Sequence, residues 1–243
     1  MTGPKISLAE PVSALKSIPI VECGESLVNY LEACPLLLHD EPVFDYHRET
    51  LLRESVVTRL CRAAEALPKE YRLVVLEGWR GRHIQHRMYL RSLEYWRERH
   101  PEWSEAAVRR VANRFTAPIN HPKVPPPHST GGALDIGLRY ADGSRCDFHT
   151  PFERADPRSF PTDAKGLSPE ARQHRDLLRS VLLEVDITNY PSEYWHFSYG
   201  DQGWAYRGGH DHAVYASIEP QGWEPKPEDV GDHPLVRAST SYF

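Results

Sequence analysis

Five side chains in this sequence have the chemistry of a hydrolytic metal site. Residues 126–135 read PPHSTGGALD and set His128 and Asp135 on either side of a Gly-rich turn; residues 192–197 read SEYWHF and place Glu193 three positions before His196. A catalytic zinc takes three protein ligands from His, Asp, Glu or Cys and leaves a fourth position for water. His128, Asp135 and His196 fit that requirement. Gly131 and Gly132 allow the chain to turn an imidazole back towards the carboxylate, because glycine accepts positive φ and close backbone approach. A carboxylate beside a metal-held water can take its proton, and Glu193 is spaced for that work. Arg80 adds a permanent cation suited to a developing oxyanion. Singly these are weak signals. H-x6-D occurs in many loops, a glutamate at a strand start is commonly just exposed, and a lone arginine is most often ion-paired at the surface.

These residues need elements to hold them. Leu52, Val56, Leu60 and Ala64 recur at helical spacing between Thr50 and Leu67, and Pro68 ends that run, so an amphipathic helix is expected over 50–67. RLVVLEG then reads as a buried strand that delivers Trp79 and Arg80 to a loop or helix start. Helices are predicted over 82–100, stopped by Pro101, and from a Ser104 cap through Phe115. Five prolines between Pro118 and Pro127 exclude helix and central strand there. In HSTGGALDIGL the alternation sends Leu134, Ile136 and Leu138 to one face, and Ala133, Asp135 and Gly137 to the other. Asp135 therefore leaves the sheet opposite the large aliphatics. Ser168 and Pro169 open a helix running to about Val185, and EYWHFSY is aromatic enough for a strand. Strict alternation would part Glu193 from His196, so Glu193 belongs to the turn before that strand.

Composition sets limits on function. The 243 residues suffice for one sizeable domain, and 29 basic against 34 acidic side chains give a net charge of −5, which disfavours a nucleic-acid partner. The N-terminal stretch lacks the unbroken apolar run of a signal peptide, and no later stretch has the roughly 20 apolar residues of a membrane span, so a cytoplasmic protein without membrane contact is expected. Cys23, Cys34, Cys61 and Cys146 lack C-x-x-C spacing and read as four free thiols. The last 25 residues, rich in Pro, Gly and charge, read as an extended or disordered tail over 219–243. His210 and His212 form an H-x-H pair without a placeable carboxylate, and His83 and His86 share a helix face without a third ligand; all four are expected to be surface or packing residues.

Taken together, the motifs closely resemble those of the D-alanyl-D-alanine dipeptidases, a family of zinc D,D-peptidases. Its S-x-H-x-x-G-x-A-x-D motif is met at four of five fixed places, by His128, Gly131, Ala133 and Asp135, with Pro126 where the motif has serine. E-x-W-H is met by Glu193, Trp195 and His196; Gly78, Trp79 and Arg80 stand for G-Y-R; Tyr199 to Gln202 supply Y-G-D-Q. Order and spacing agree over about residues 45–217. The resemblance implies that one zinc ion per chain is bound by His128, Asp135 and His196, that Glu193 is general base and acid, and that Arg80 steadies the transition state. It further implies that Glu153, after Phe152, holds the substrate's free amine in place of the family's aspartate. Any part the motif serine plays in binding substrate would pass to Ser129 or Thr130. The implied fold is a single α+β domain over 1–218, with helices packed on a small antiparallel sheet, of D,D-peptidase and Hedgehog type. The implied reaction is hydrolysis of the D-alanyl-D-alanine dipeptide. Alternatives are a D,D- or L,D-carboxypeptidase or endopeptidase on peptidoglycan fragments, and a non-catalytic zinc-binding module. Oligomeric state is left open.

Overall fold

A computed structural model describes residues 10–40, 44–149 and 160–237. In chain order its elements are α1 (Val12–Leu15), β1 (Leu27–Asn29), α2 (Tyr30–Ala33), β2 (Leu38–His39), β3 (Leu51–Arg53), α3 (Glu54–Ala66), β4 (Tyr71–Glu77), α4 (Arg82–Arg99), α5 (Glu105–Phe115), β5 (Ala133–Tyr140), α6 (Pro169–Leu183), β6 (Thr188–Asn189), β7 (His196–Ser198) and α7 (Gln202–Gly208), with short 3-10 turns at Pro127–Thr130 and Pro227–Asp229. This is a mixed α+β architecture.

The main sheet has the order β2-β4-β5-β7-β6, and β1 pairs with β3 in a separate ribbon. The β4–β5, β5–β7 and β7–β6 pairs are antiparallel, as expected; the two-residue edge strand β2 runs parallel to β4. The β3–α3 segment between them provides the crossover that a parallel pair requires. Leu134, Ile136, Leu138 and Phe197 are buried in one core with residues of α3 and α6. Burial of each large aliphatic contributes about 2 kcal/mol, so a one-residue slip of β5 would cost roughly 6 kcal/mol for its three. That cost fixes Asp135 on the opposite face.

Three local expectations are corrected. The helix starts at Glu54 rather than Thr50, because Leu51–Arg53 is strand paired to Leu27–Asn29; Leu52, four positions before Val56, suits a helical period and a strand face equally. Strand β7 begins only at His196, since Glu193–Trp195 form the turn before it. Cys34 and Cys61 are joined in a disulfide, with Cα atoms 5.8 Å apart, while Cys23 and Cys146 are free; a pairing across 27 positions cannot be read from spacing. Residues 219–237 carry little regular structure and make packing contacts with the domain. Trp223 packs edge-on against Trp79 with centroids 4.9 Å apart, Asp229 is buried against Arg87, and Leu235 is buried.

Candidate metal centre and active site

Two strands and one turn bring the site together. Asp135 of β5 stands opposite His196 of β7 in the antiparallel register, so neighbouring strands place a carboxylate and an imidazole side by side. His196 Nδ1 lies 3.0 Å from Asp135 Oδ1. The 3-10 turn carrying His128 ends in Gly131 at φ +70°, a left-handed conformation that glycine adopts without strain. Arg53, fully buried, clamps this turn: its backbone N–H donates to the Gly131 carbonyl at 2.9 Å and its Nε to the Thr130 carbonyl at 2.8 Å. His128 Nε2 then sits 3.4 Å from Asp135 Oδ1.

One ligand atom from each of His128, Asp135 and His196 falls within 4.8 Å of the other two. Ligands about 2.1 Å from a shared tetrahedral ion stand roughly 3.4 Å apart, so the two distances to Asp135 match the size of a single small cation. Two imidazoles and a carboxylate form a borderline donor set, which suits zinc better than the hard cations. Burial favours an uncharged Asp135, but the charge and hydrogen bond of His128 and those of His196 outweigh it and hold the carboxyl well below the usual range. Burial, then the charge of Arg80, lowers the pKa of His128. In His196 burial also opposes the imidazolium, yet the hydrogen bond and charge of Asp135, with the charges of Glu193 and Asp201, raise it.

Glu193 sits in the turn before β7, where the His196 N–H closes back on the Glu193 carbonyl at 3.2 Å. Its carboxylate makes no hydrogen bond to a described residue, and burial pushes its pKa up to about 8 against the pull of His196. Arg80 is buried too, with Nη2 3.8 Å from Asp135 Oδ2 and Nη1 donating to Gln85 at 2.9 Å. Arg80, His128, Asp135, Glu193 and His196 all line one cavity of about 460 Å3, walled further by α4, by the end of α5 and by the proline-rich segment before His128. That volume lies in the range of small-molecule sites.

Other expected site residues are placed differently. The Ser129 and Thr130 hydroxyls donate inside the turn, to the Pro126 and Pro127 carbonyls at 2.7 and 2.6 Å, and Thr130 also accepts the Gly132 N–H. Both are buried and brace the backbone around His128. Glu153 lies outside the described residues. His86 pairs with Asp232, and His210 stacks on Trp204. Glu77 was not foreseen: it enters the site beside Arg80, and its one sequence signal is an acid that follows the apolar run Leu73–Leu76. Tyr46, which donates to Glu77, carried no signal at all.

Residues 40–215 match the D-ala-D-ala dipeptidase family of peptidases. A D-alanyl-D-alanine dipeptidase of Synechocystis sp. is 28% identical over 240 residues, an alignment that covers 88% of this chain and 97% of that protein. No helix among the described residues is long and apolar enough to cross a membrane. The His-Asp-His cluster lies within the matched stretch, and the chain belongs to the D-ala-D-ala dipeptidase family of metallopeptidases.

Proposed function

We propose that this enzyme is a zinc-dependent dipeptidase that hydrolyses D-alanyl-D-alanine to two molecules of D-alanine, with Glu193 as general base and acid and Arg80 as the oxyanion partner. The observation that carries this reading is the convergence of Arg80, His128, Asp135, Glu193 and His196 on one cavity. His128, Asp135 and His196 would hold one zinc ion, which when bound polarises the scissile carbonyl and acidifies the attacking water.

The chain's own residues do the rest. Glu193 takes the proton of the attacking water and returns it to the leaving amine. Its burial favours the protonated form, and a cation at the triad favours the carboxylate, so the two together poise it for both transfers. Arg80 offers a guanidinium that cannot deprotonate, in a site where little water competes for it. Glu153 remains the proposed partner of the substrate's free amine. The finer reading of the fold is the D,D-peptidase and Hedgehog type, and that of the location is the cytoplasm, with no nucleic-acid partner.

The test is release of free amino acid from D-Ala-D-Ala, L-Ala-L-Ala and N-acetyl-D-Ala-D-Ala, with zinc and with chelator. Cleavage of D-Ala-D-Ala alone, abolished on chelation, is expected. Equal cleavage of the acetylated peptide would transfer support to a carboxypeptidase; zinc binding with no cleavage would leave a binding module.

A further inference from the structure

The register of β4 against β5 is broken at one place beside the site. Val75 pairs with Ile136, but the next pairing is Glu77 with Asp135, so Leu76 and Glu77 together oppose a single residue. Such a bulge re-aims the side chains beyond it. Without it Leu76 would stand opposite Asp135. With it a second carboxylate faces the metal-site aspartate, an arrangement that costs energy unless a cation lies between.

Arg80 is that cation. Its Nη2 is 3.7 Å from Glu77 Oε2 and 3.8 Å from Asp135 Oδ2. Tyr46 donates its hydroxyl to the same Glu77 oxygen from a separate segment of chain. On the other side Nη1 is held by Gln85, whose own Nε2 donates to the Ala117 carbonyl at 2.7 Å. Within this pair, Glu77 Oε1 and Arg80 Nε are buried and have no hydrogen-bond partner among the described residues. The Arg80 guanidinium is therefore held through its Nη atoms, by the Glu77 and Asp135 carboxylates on one side and by Gln85 on the other.

We propose that Glu77, braced by Tyr46, is a positioning residue: it fixes where the Arg80 guanidinium stands over the cavity and acts on the reaction only through Arg80. Asp135 would be taken up by the metal ligand set, which leaves Glu77 as the other carboxylate ion-paired with Arg80 among the described residues. The proposal rests on the oxyanion role given to Arg80 above. A displacement of about 1 Å in such a group lowers turnover up to roughly 100-fold.

The experiment combines a double-mutant cycle with a readout independent of turnover. Glu77→Gln is expected to lower kcat about 10-fold to 100-fold with KM within about threefold and zinc content unchanged, and Tyr46→Phe to lower it less. In an Arg80→Ala background, adding Glu77→Gln should change kcat by less than about twofold, since the group it positions is gone. Equal losses in both backgrounds would overturn the proposal, because a merely structural role adds to any other lesion. Nitrogen-15 spectra of the guanidinium, assigned by the signal missing from Arg80→Lys, should show hindered rotation of Arg80 in the parent and free rotation in Glu77→Gln. An unchanged Arg80 signal also overturns it. A parent protein that cuts no D-Ala-D-Ala defeats the substrate reading alone, and the spectra still decide the role of Glu77. Should Glu77→Gln fail to fold, Tyr46→Phe, which removes one hydroxyl, carries both measurements.

Discussion

His128 and Gly78 lie 50 positions apart, yet the imidazole Nδ1 stands 2.9 Å from the Gly78 carbonyl oxygen. A carbonyl only accepts, so Nδ1 carries the proton and Nε2 keeps its lone pair for the space shared with Asp135 and His196. The ring is thus prepared as a ligand by the backbone just before Arg80. Zinc at a hundredfold excess over Kd should stabilise the parent by about 2.7 kcal/mol, roughly 5–10 °C in Tm for a domain of this size. His128→Ala should lower the starting Tm, because the Gly78 carbonyl is left without its donor, and should abolish most of the zinc-dependent rise. Thermal scans with and without zinc check this, and an undiminished rise in the variant would remove His128 from the ligand set.

The buried carboxyl of Glu193 makes stability depend on pH in the metal-free protein. Its folded pKa is about 8 against an ordinary 4.5, so between these values the folded chain holds a proton that the unfolded chain has released. Stability from this group is complete below about pH 4.5 and is lost as pH rises through about 8. The slope approaches 1.4 kcal/mol per pH unit at most. Urea denaturation of chelator-treated parent and Glu193→Gln at pH 5.5, 6.5 and 7.5 isolates it: the parent should weaken with rising pH relative to the variant. With zinc present, the same substitution should cost about 100-fold to 10,000-fold in kcat without loss of metal. Parallel pH curves would mean that the carboxyl is not buried as described.

Much of this site was legible because its residues are local in sequence or fixed by alternation. H-x6-D with two glycines, E-x-W-H and the strand before Arg80 are short patterns, and the aliphatic face of β5 dictates on which side Asp135 emerges. What could not be read depends on packing across the fold. Alternation alone would place Leu76 beside Asp135; the bulge substitutes Glu77. The Ser129 and Thr130 hydroxyls brace their own turn by donating to its carbonyls, contacts that depend on the turn's geometry and not on residue type. Cys34 and Cys61 meet because the segment after α2 joins the core that α3 helps to form, and the C-terminal segment has a composition of polar loops while its few large residues find partners on distant elements.

Gly132 joins the two ligand-bearing strands. Its carbonyl accepts the Tyr199 N–H at 3.0 Å, and a Cβ here would stand 2.4 Å from the Tyr199 carbonyl oxygen and 2.8 Å from the Tyr215 ring. Backbone cannot yield as a side-chain end can, so Gly132→Ala must spread the chain after His128 from the end of β7. The expected loss is about 1–3 kcal/mol of stability, with weaker zinc binding because Asp135 and His196 are carried by the strands being parted. Urea denaturation and zinc titration of the variant check both effects; parent-like values in each would show that the close approach is relieved elsewhere at little cost.

Asp229 decides whether residues 219–237 are part of the folded unit. Its carboxylate accepts the His47 N–H at 2.9 Å and stands 3.7 Å from Arg87 Nη1, with Asp229 and Arg87 both buried. Removing one member of a buried pair leaves the other charge unmatched, at a cost of about 3–5 kcal/mol. Arg87 keeps hydrogen bonds to the Asp229 and His233 carbonyls at 2.8 and 3.3 Å, which offsets part of that cost. The expected result for Asp229→Ala is therefore a loss of about 2 kcal/mol or somewhat more. Trp223, six positions earlier, packs on Trp79 next to Arg80, so loosening this segment should also lower kcat modestly. Denaturant midpoints and turnover of Asp229→Ala and Trp223→Ala test the pair of claims. If both variants matched the parent in both measurements, the segment would be a dispensable appendage and the domain would end before it.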